Sequence, residues 1–328
     1  MISIVMPVRN AGPYLKECIQ SIINQSFEQW ELVAIDDHST DDSSTILKSF
    51  AKQDPRIHWA PASGKGIIDA LRQAYTQTNH PYVTRMDADD IMTSSKLADM
   101  LHLLEERGSG TLAVGLVNYF SETGLGEGYR KYADWLNAMT LAESNWDQIY
   151  KECVIPSPCW MISRTDFDSL GAFNSDVYPE DYDLCFRFRN AGLSIAAVPK
   201  VLHQWRDHSD RASRNDPNYA DNRFLTLKVR HFIESDFVKD TPLIVWGAGK
   251  KGKQIVQLLQ SKQIPLQWIC DNDKKIGQEI YAVKIDSIQL LEKVSEAQLI
   301  IAVANPEEQQ AIRSYLYSND NMRPFFFC

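Results

Sequence analysis

Paired cysteines are missing from this sequence. Its six cysteines, Cys18, Cys153, Cys159, Cys185, Cys270 and Cys328, stand apart, with no C-x-x-C spacing and no histidine cluster beside them. That argues against a zinc knuckle and a disulfide-stapled scaffold, and the thiols read as reduced, mostly core residues. No apolar run reaches the roughly 18 residues that a bilayer-spanning helix needs. Met1 leads directly into ISIVMPV, with neither a basic n-region nor a small-residue cleavage site. The expectation is a cytoplasmic protein with at most peripheral membrane contact. Positive charge is also short: 34 Lys and Arg face 43 Asp and Glu, a formal charge of −9. A phosphate-tracking surface needs clustered cations, so nucleic acid is not an expected partner. Internal repeats and low-complexity tracts do not occur.

What remains is a globular composition, 44% hydrophobic over 328 residues, which is long enough for two cores. Residues 2–8 form an apolar run that stops at Arg9-Asn10-Ala11-Gly12-Pro13, and an amphipathic stretch follows over 14–25. Residues 30–35 predict a second strand, closed by Asp36-Asp37. Helical spacing over 67–76 follows a glycine-containing turn, and a short strand over 82–86 stops at Asp87-Ala88-Asp89-Asp90. Strands alternating with helices predict an α/β fold with a largely parallel sheet, which binds ligands at the carboxyl ends of its strands. Both acidic clusters fall at such ends. The stretch 108–150 carries Tyr129, Tyr132, Trp135, Trp146 and Tyr150 and predicts a helical insertion, its aromatics serving either packing or acceptor recognition. The pattern breaks around 235–242, and a second strand, glycine turn and helix begin at Leu243.

A leaving diphosphate needs its charge neutralised, and a divalent cation does this as Lewis acid and template. Mn²⁺ or Mg²⁺ prefers oxygen ligands and takes one or two protein carboxylates with phosphate oxygens. Asp87-x-Asp89 at a strand end meets that need, although a solvated Asp-rich turn would use the same letters.

Four segments together resemble the family 2 glycosyltransferases. They are MPVRNAGPYLKECIQSIINQSFEQWELVAIDDHSTDDS, then GKGIIDALRQAY with YVTRMDADD, then SPCWMISRTDFDSLGAFNSDVYPEDYDLCFRFRNAG, then WRDHSDRASR. They stand in family order across roughly residues 2–230. The resemblance implies a GT-A nucleotide-diphospho-sugar transferase fold and an inverting displacement, with a nucleotide-sugar donor and a saccharide or lipid-linked saccharide acceptor. UDP-sugar is the expected donor. By that resemblance Asp37 accepts a hydrogen bond from the donor base, with Pro7, Val8 and Asn10 shaping the pocket; the structural alternative for Asp37 is an Asx turn or helix cap. Asp89 is the expected metal ligand, and Asp87 contacts ribose or metal. Lys65 and Asp69 lie in the donor-binding stretch. Arg72 stands where many relatives carry Asn, and would pair with phosphate or with Asp69.

Inversion requires the acceptor hydroxyl to attack opposite the leaving diphosphate, so a base must lie away from the metal. The Pro179-Glu180-Asp181-Tyr182 segment supplies Asp181 as that base by resemblance, with Glu180 holding the acceptor or capping the helix expected over 182–189. Both acids would also suit a helix N-terminus for electrostatic reasons alone. Arg206, His208, Arg211 and Arg214 follow as a basic loop suited to diphosphate oxygens.

Beyond the break, Gly247-Ala-Gly249-Lys-Lys-Gly252 lies between strand and helix, with Asp271 about 20 residues later, the context of a dinucleotide fingerprint. The expected division is therefore a catalytic domain over 1–235 and a smaller Rossmann-like α/β domain over 241–328. That unit resembles small Rossmann-like domains of sugar acyltransferases and the tail of some bacterial family 2 transferases. Its role is open between assembly, including homo-oligomer formation, binding of a nucleotide or nucleotide-sugar, and NAD-dependent chemistry. Two other readings of the whole chain stand beside transfer: an NAD-dependent nucleotide-sugar-modifying enzyme, and a catalytically inactive sugar-nucleotide-binding module. The first leaves the Glu-Asp pair without purpose and lacks an evident Tyr-x-x-x-Lys. Intact Asp87, Asp89 and Asp181 speak against the second.

Overall fold

A computed structural model describes residues 1–122, 124–215, 221–317 and 321–328 of the chain. Contacts divide it into two compact units: Met1–Asp147 with Cys153–Asp216, and Gln148–Glu152 with Pro217–Cys328.

The first unit begins as strand β1 (Ile2–Val8), helix α1 (Gly12–Ile23) and β2 (Trp30–Asp36). Next come α2 (Ser43–Gln53), β3 (Ile57–Pro61), α3 (Ile67–Thr76), β4 (Tyr82–Arg85) and the short β5 (Ile91–Met92). β1 is buried at six of its seven positions, as befits a parallel strand covered on both faces. Gly12 opens α1 because a Cβ there would lie 2.1 Å from the Asp42 carboxylate, while its N–H donates to Asp41 Oδ2 at 2.8 Å. The remaining elements are α4 (Lys96–Arg107), β6 (Thr111–Phe120), α5 (Glu127–Leu141), β7 (Trp160–Ser163), α6 (Arg164–Ser169), α7 (Glu180–Asn190), β8 (Ser194–Arg206) and the one-turn α8 (Ala212–Asn215).

These strands make one sheet in the order β3-β2-β1-β4-β7-β6-β8-β5. The half from β3 to β4 is parallel, with Val8 beside Asp36 and Val5 beside Arg85, so the carboxyl ends of β1, β2 and β4 share an edge. β7 joins it antiparallel between β4 and β6. The stretch expected as a helical insertion is corrected at its start: Thr111–Phe120 is a ten-residue strand inside the sheet, and only Glu127–Leu141 is a long helix. Paired with β7 and β8, β6 is apolar on both faces, and it lacks the period-2 alternation that identifies a half-buried strand.

The second unit contains α9 (Asp221–His231), which the sequence reading assigns to the first domain, then β9 (Leu243–Trp246), α10 (Lys250–Ser261) and β10 (Gln267–Cys270). A hairpin of β11 (Glu279–Ile280) and β12 (Val283–Ser287) follows, then β13 (Ala297–Ile301), α11 (Pro306–Tyr317) and β14 (Met322–Phe326). Sheet order is β11-β12-β10-β9-β13-β14, parallel from β12 to β14. Ile244, Trp246, Ile269, Leu299 and Ile301 form one core with Ile312 and Leu316 of α11. Tyr150 belongs to this unit: it stacks on Phe327 at 4.9 Å and donates its hydroxyl to Asp236 at 2.5 Å.

A Cβ at Gly252 would sit 1.9 Å from the Gly247 carbonyl oxygen, and backbone cannot move aside cheaply. Gly252→Ala should therefore destabilise the second unit by about 3 kcal/mol. Gly249→Ala, where a Cβ meets nothing within 4 Å, should stay within about 0.5 kcal/mol. Urea titration followed by tryptophan fluorescence separates the two, and equal midpoints would refute the packing argument.

Candidate active site

At the end of β2 the two neighbouring acids do different work. Asp36 accepts the Ser39 N–H at 3.2 Å and the Ser44 hydroxyl, so it forms the turn that leads into α2. Asp37 points elsewhere: both its oxygens accept the Gly66 N–H at 3.1 Å, and Arg9 lies 3.5 Å away. The Asx-turn role considered for Asp37 thus falls to Asp36. Pro7 is half-buried and Val8 fully buried at the end of β1. Asn10, with φ of 49°, accepts the Thr40 N–H on Oδ1 and donates its own N–H to Ser39, lacing two loops together.

The loop before α3 is fastened by Asp69, which accepts the Lys65 N–H at 2.9 Å and pairs with Arg72 at 3.1 Å; the Lys65 side chain is exposed. Arg72 continues across to the segment before α7. There it pairs with Asp176 at 2.6 Å and donates to the carbonyls of Phe173 and Asn174 at 3.3 Å. Asp69, one of the two partners the sequence offered for Arg72, is in contact with it.

β4 ends in the acidic turn. Asp87 Oδ1 accepts from Arg85 Nε at 2.7 Å, and Oδ2 from the Ser157 hydroxyl at 3.3 Å. Asp89 Oδ2 meets His208 Nε2 at 2.9 Å, and the Asp89 carbonyl accepts from Arg206 Nε at 2.8 Å. Burial works to raise the Asp89 carboxyl, but the His208 hydrogen bond and the Arg211 charge hold it below the usual range. Asp90 is pushed well up, first by burial and then by Asp89 and Asp87. It accepts the Arg206 N–H at 2.8 Å and meets His203 Nε2 at 2.9 Å. Arg206 also pairs with Glu17 and sits over the rings of Phe120 and Tyr14 at 4.5 and 4.9 Å.

Glu180 and Asp181 open α7. Glu180 is buried and accepts from Arg85 Nη1 at 3.0 Å. Asp181 is half-buried and accepts the Tyr182 N–H at 2.8 Å. Burial and the neighbouring Glu180 charge raise its pKa to about 7 against the pull of Arg85, a value suited to a base working near neutrality. Asp181, Arg85, Ser157, Trp160 and Cys185 line a small cavity. Arg85 is the residue that sequence reasoning missed. Its one signal is an arginine inside an otherwise apolar strand, immediately before the acidic turn.

In the second unit Gly247, with φ of 122°, and Gly252 are required by backbone packing. The turn's carbonyls are already engaged: Trp268 donates to Gly247 O at 2.9 Å and Lys275 to Ala248 O at 2.8 Å. Asp271 follows β10 and is exposed.

A parallel half-sheet continued by antiparallel strands, with carboxylates at the shared strand ends, defines the GT-A class of fold. Solved structures share it: Staphylococcus aureus TarS in complex with UDP-GlcNAc superposes with a TM-score of 0.56 at 14% identity, covering 79% of this chain and 71% of that one. Mannosyltransferase PcManGT from Pyrobaculum calidifontis, in complex with GDP-Man and Mn²⁺, gives 0.52 at 18% identity, covering 71% and 63%. Residues 3–171, more than half of the chain, match the model of glycosyl transferase family 2, and the chain belongs to that family. Glycosyltransferase GlyG of Streptococcus pneumoniae is 30% identical over 125 residues, 38% of this chain and 42% of that protein. The chain spans less than half the length of the first curated relatives it matches. No helix among the described residues is long and apolar enough to cross a membrane.

The residues present fit a divalent cation. Asp89 and His208 touch, His208 Nδ1 is buried with no partner among the described residues, and Asp87 lies two residues away along the turn. No group of three or more such ligands occurs among the described residues, so diphosphate oxygens and water would have to complete the shell. Asp89→Asn should lose Mn²⁺-dependent nucleoside diphosphate affinity by at least about tenfold while keeping its melting temperature. Calorimetric titration with and without Mn²⁺ reads this, and unchanged affinity would remove Asp89 from the cation's ligands.

Proposed function

We propose that the chain transfers a sugar from a nucleoside diphosphate sugar, preferentially a UDP-sugar, to an acceptor hydroxyl with inversion at the anomeric carbon. The observation that carries the reading is the opposition of two acid sites on one guanidinium: Asp87 of the acidic turn and Glu180, neighbour of Asp181, both bind Arg85. Donor recognition is assigned to Asp37, which is fixed against Gly66, with Pro7, Val8 and Asn10 around it. Asp89 would hold a divalent cation with His208 and Asp87 beside it, supplying charge neutralisation for the leaving diphosphate. Asp181 takes the proton of the acceptor hydroxyl as its oxygen bonds to the anomeric carbon and the bond to the diphosphate oxygen breaks. Arg206 and Asp90 hold the acidic turn in shape.

The acceptor is a saccharide or lipid-linked saccharide in polysaccharide or glycoconjugate assembly, a reading supported by Bacillus subtilis relatives named for teichuronic acid and minor teichoic acid biosynthesis. The work of transfer is assigned to residues 1–235, and the domain over 241–328 to assembly or acceptor choice. The glycine turn there is accounted for by packing, so NAD is not part of the proposal. A thermal-shift screen of UDP- and GDP-sugars with and without Mn²⁺, followed by donor hydrolysis, tests the whole. Stabilisation by one sugar nucleotide that grows with Mn²⁺ is the expected result, and no response to any of them would sink the reading.

The pH dependence has a definite sign. Asp181 works as the carboxylate, so turnover should rise with pH through about 7. Its folded value lies above the ordinary 3.8, so the folded state binds the extra proton, and stability falls as pH rises between those values. Asp181→Asn should therefore lose turnover by at least about 10²-fold yet melt higher than the wild type at pH 8. At pH 4 that advantage should vanish. Equal melting at both pH values would mean that the Asp181 carboxyl is not raised.

A further inference from the structure

Arg85 is 4% exposed at the end of β4 and binds two carboxylates, Asp87 of the acidic turn and Glu180 at the start of α7. Nε donates to Asp87 Oδ1 at 2.7 Å and Nη1 to Glu180 Oε1 at 3.0 Å. The ladder already holds β4 itself, through Val5 beside Arg85 and Thr84 beside Met161. A buried ion pair is a poor source of net stability, because desolvation offsets much of the attraction. The arrangement therefore does more to fix two side chains than to secure the strand. A guanidinium can hold two carboxylates at a set angle through separate N–H groups, whereas an ammonium is a single movable point.

The start of α7 needs such a hold. Its N-cap, Pro179, offers no side-chain cap, and Glu180 is held by Arg85. The segment leading into it is tied at 173–176 by Arg72. Asp181 shares the small cavity with Arg85 and Ser157, and Ser157 bonds the second oxygen of Asp87.

We propose that Arg85 is a positioning residue that fixes the Glu180-Asp181 turn against the donor-side Asp87, setting the distance between the acceptor base and the departing diphosphate. The assignment rests on the transferase reading above. Misplacing a reacting group by about 1 Å costs on the order of 10²-fold in rate without a matching loss of binding. Arg85 should consequently act on turnover and spare donor affinity.

The test uses the full chain with UDP or GDP plus Mn²⁺ as the binding probe and the hydrolysable sugar nucleotide found in the screen as substrate. Arg85→Lys should fold, bind nucleotide within about threefold of wild type, and hydrolyse donor on the order of 10²-fold more slowly. Arg85→Gln should in addition move the rising limb of the pH profile upward. Of the charges facing Asp181, Glu180 and Asp87 push its pKa up and Arg85 pulls it down, in the same direction as the Tyr182 N–H. A role in the fold alone would instead lower the melting temperature and nucleotide affinity together with the rate. Should an Arg85 variant fail to fold, Glu180→Gln decides: it weakens the same bond at nearly constant shape and should reproduce the loss of turnover. Wild-type hydrolysis with an Arg85→Lys rate within threefold, or a loss confined to nucleotide affinity, overturns the assignment alone. A wild type that neither binds nor hydrolyses any donor overturns the transferase reading and the assignment with it.

Discussion

Mutual repulsion among carboxylates is the constraint on which the first unit depends. Asp89 and Asp87 push the Asp90 carboxyl up on top of its burial, and Glu180 does the same to Asp181 at the start of α7. A sheet that gathers so many acids must neutralise them individually. Arg85 serves Asp87 and Glu180, Arg206 serves Asp90 through its backbone, and His208 serves Asp89. The result is one residue type in three states: Asp89 held low, Asp90 pushed well up, and Asp181 near 7. Environments that separate the pKa values of like groups are how one site comes to contain both an anion suited to a cation and a base suited to a proton.

Below the acidic turn the same constraint explains a costly feature. Lys96 is fully buried, and burial lowers its pKa. Its ammonium donates to Pro158 O at 2.5 Å and lies 3.4 Å from His203 Nδ1, whose other nitrogen meets Asp90 at 2.9 Å. Burial, with the Lys96 charge, pushes His203 well below its usual value, which keeps the imidazole neutral between a cation and a carboxyl. This chain of groups joins α4, β8, the acidic turn and the segment that carries Ser157. Completely paired, such a network specifies one arrangement; with a member missing, it strands a buried charge.

The parallel half of the first sheet was legible because its signals are local. Residues 67–76 have helical spacing and form α3 over those residues, and the strand expected at 82–86 is β4. Each acidic cluster follows its strand in the letters, so its place at a parallel edge could be read directly. β6 was not legible, because a strand flanked on both sides has the continuous apolar composition of a buried helix. The link from Arg85 to Glu180 spans 95 residues, and no spacing rule connects them. Asp69 and Arg72 are a middle case: their separation of three announces the helix pair, but the reach of Arg72 to Asp176 is visible only in three dimensions.

The second unit shows how a correct motif can have an explanation nearer than a ligand. A G-x-G-x-x-G turn brings backbone close to something, and here the close approaches are internal. A Cβ at Gly252 would strike the Gly247 carbonyl, and one at Gly247 would lie 3.1 Å from the carbonyl of Ala302 on the loop after β13. Two of the three glycines are thus demanded by the packing of α10 against β9 and by the approach of the neighbouring strand end. The carbonyls exposed by the turn are taken by Trp268 and Lys275, and Asp271 is exposed to solvent. Only Gly249, at the start of α10, leaves open space. The spacing therefore establishes a tight strand-to-helix turn and its fold, while the choice of ligand would have to be written in side chains around Gly249 and not in the glycines themselves.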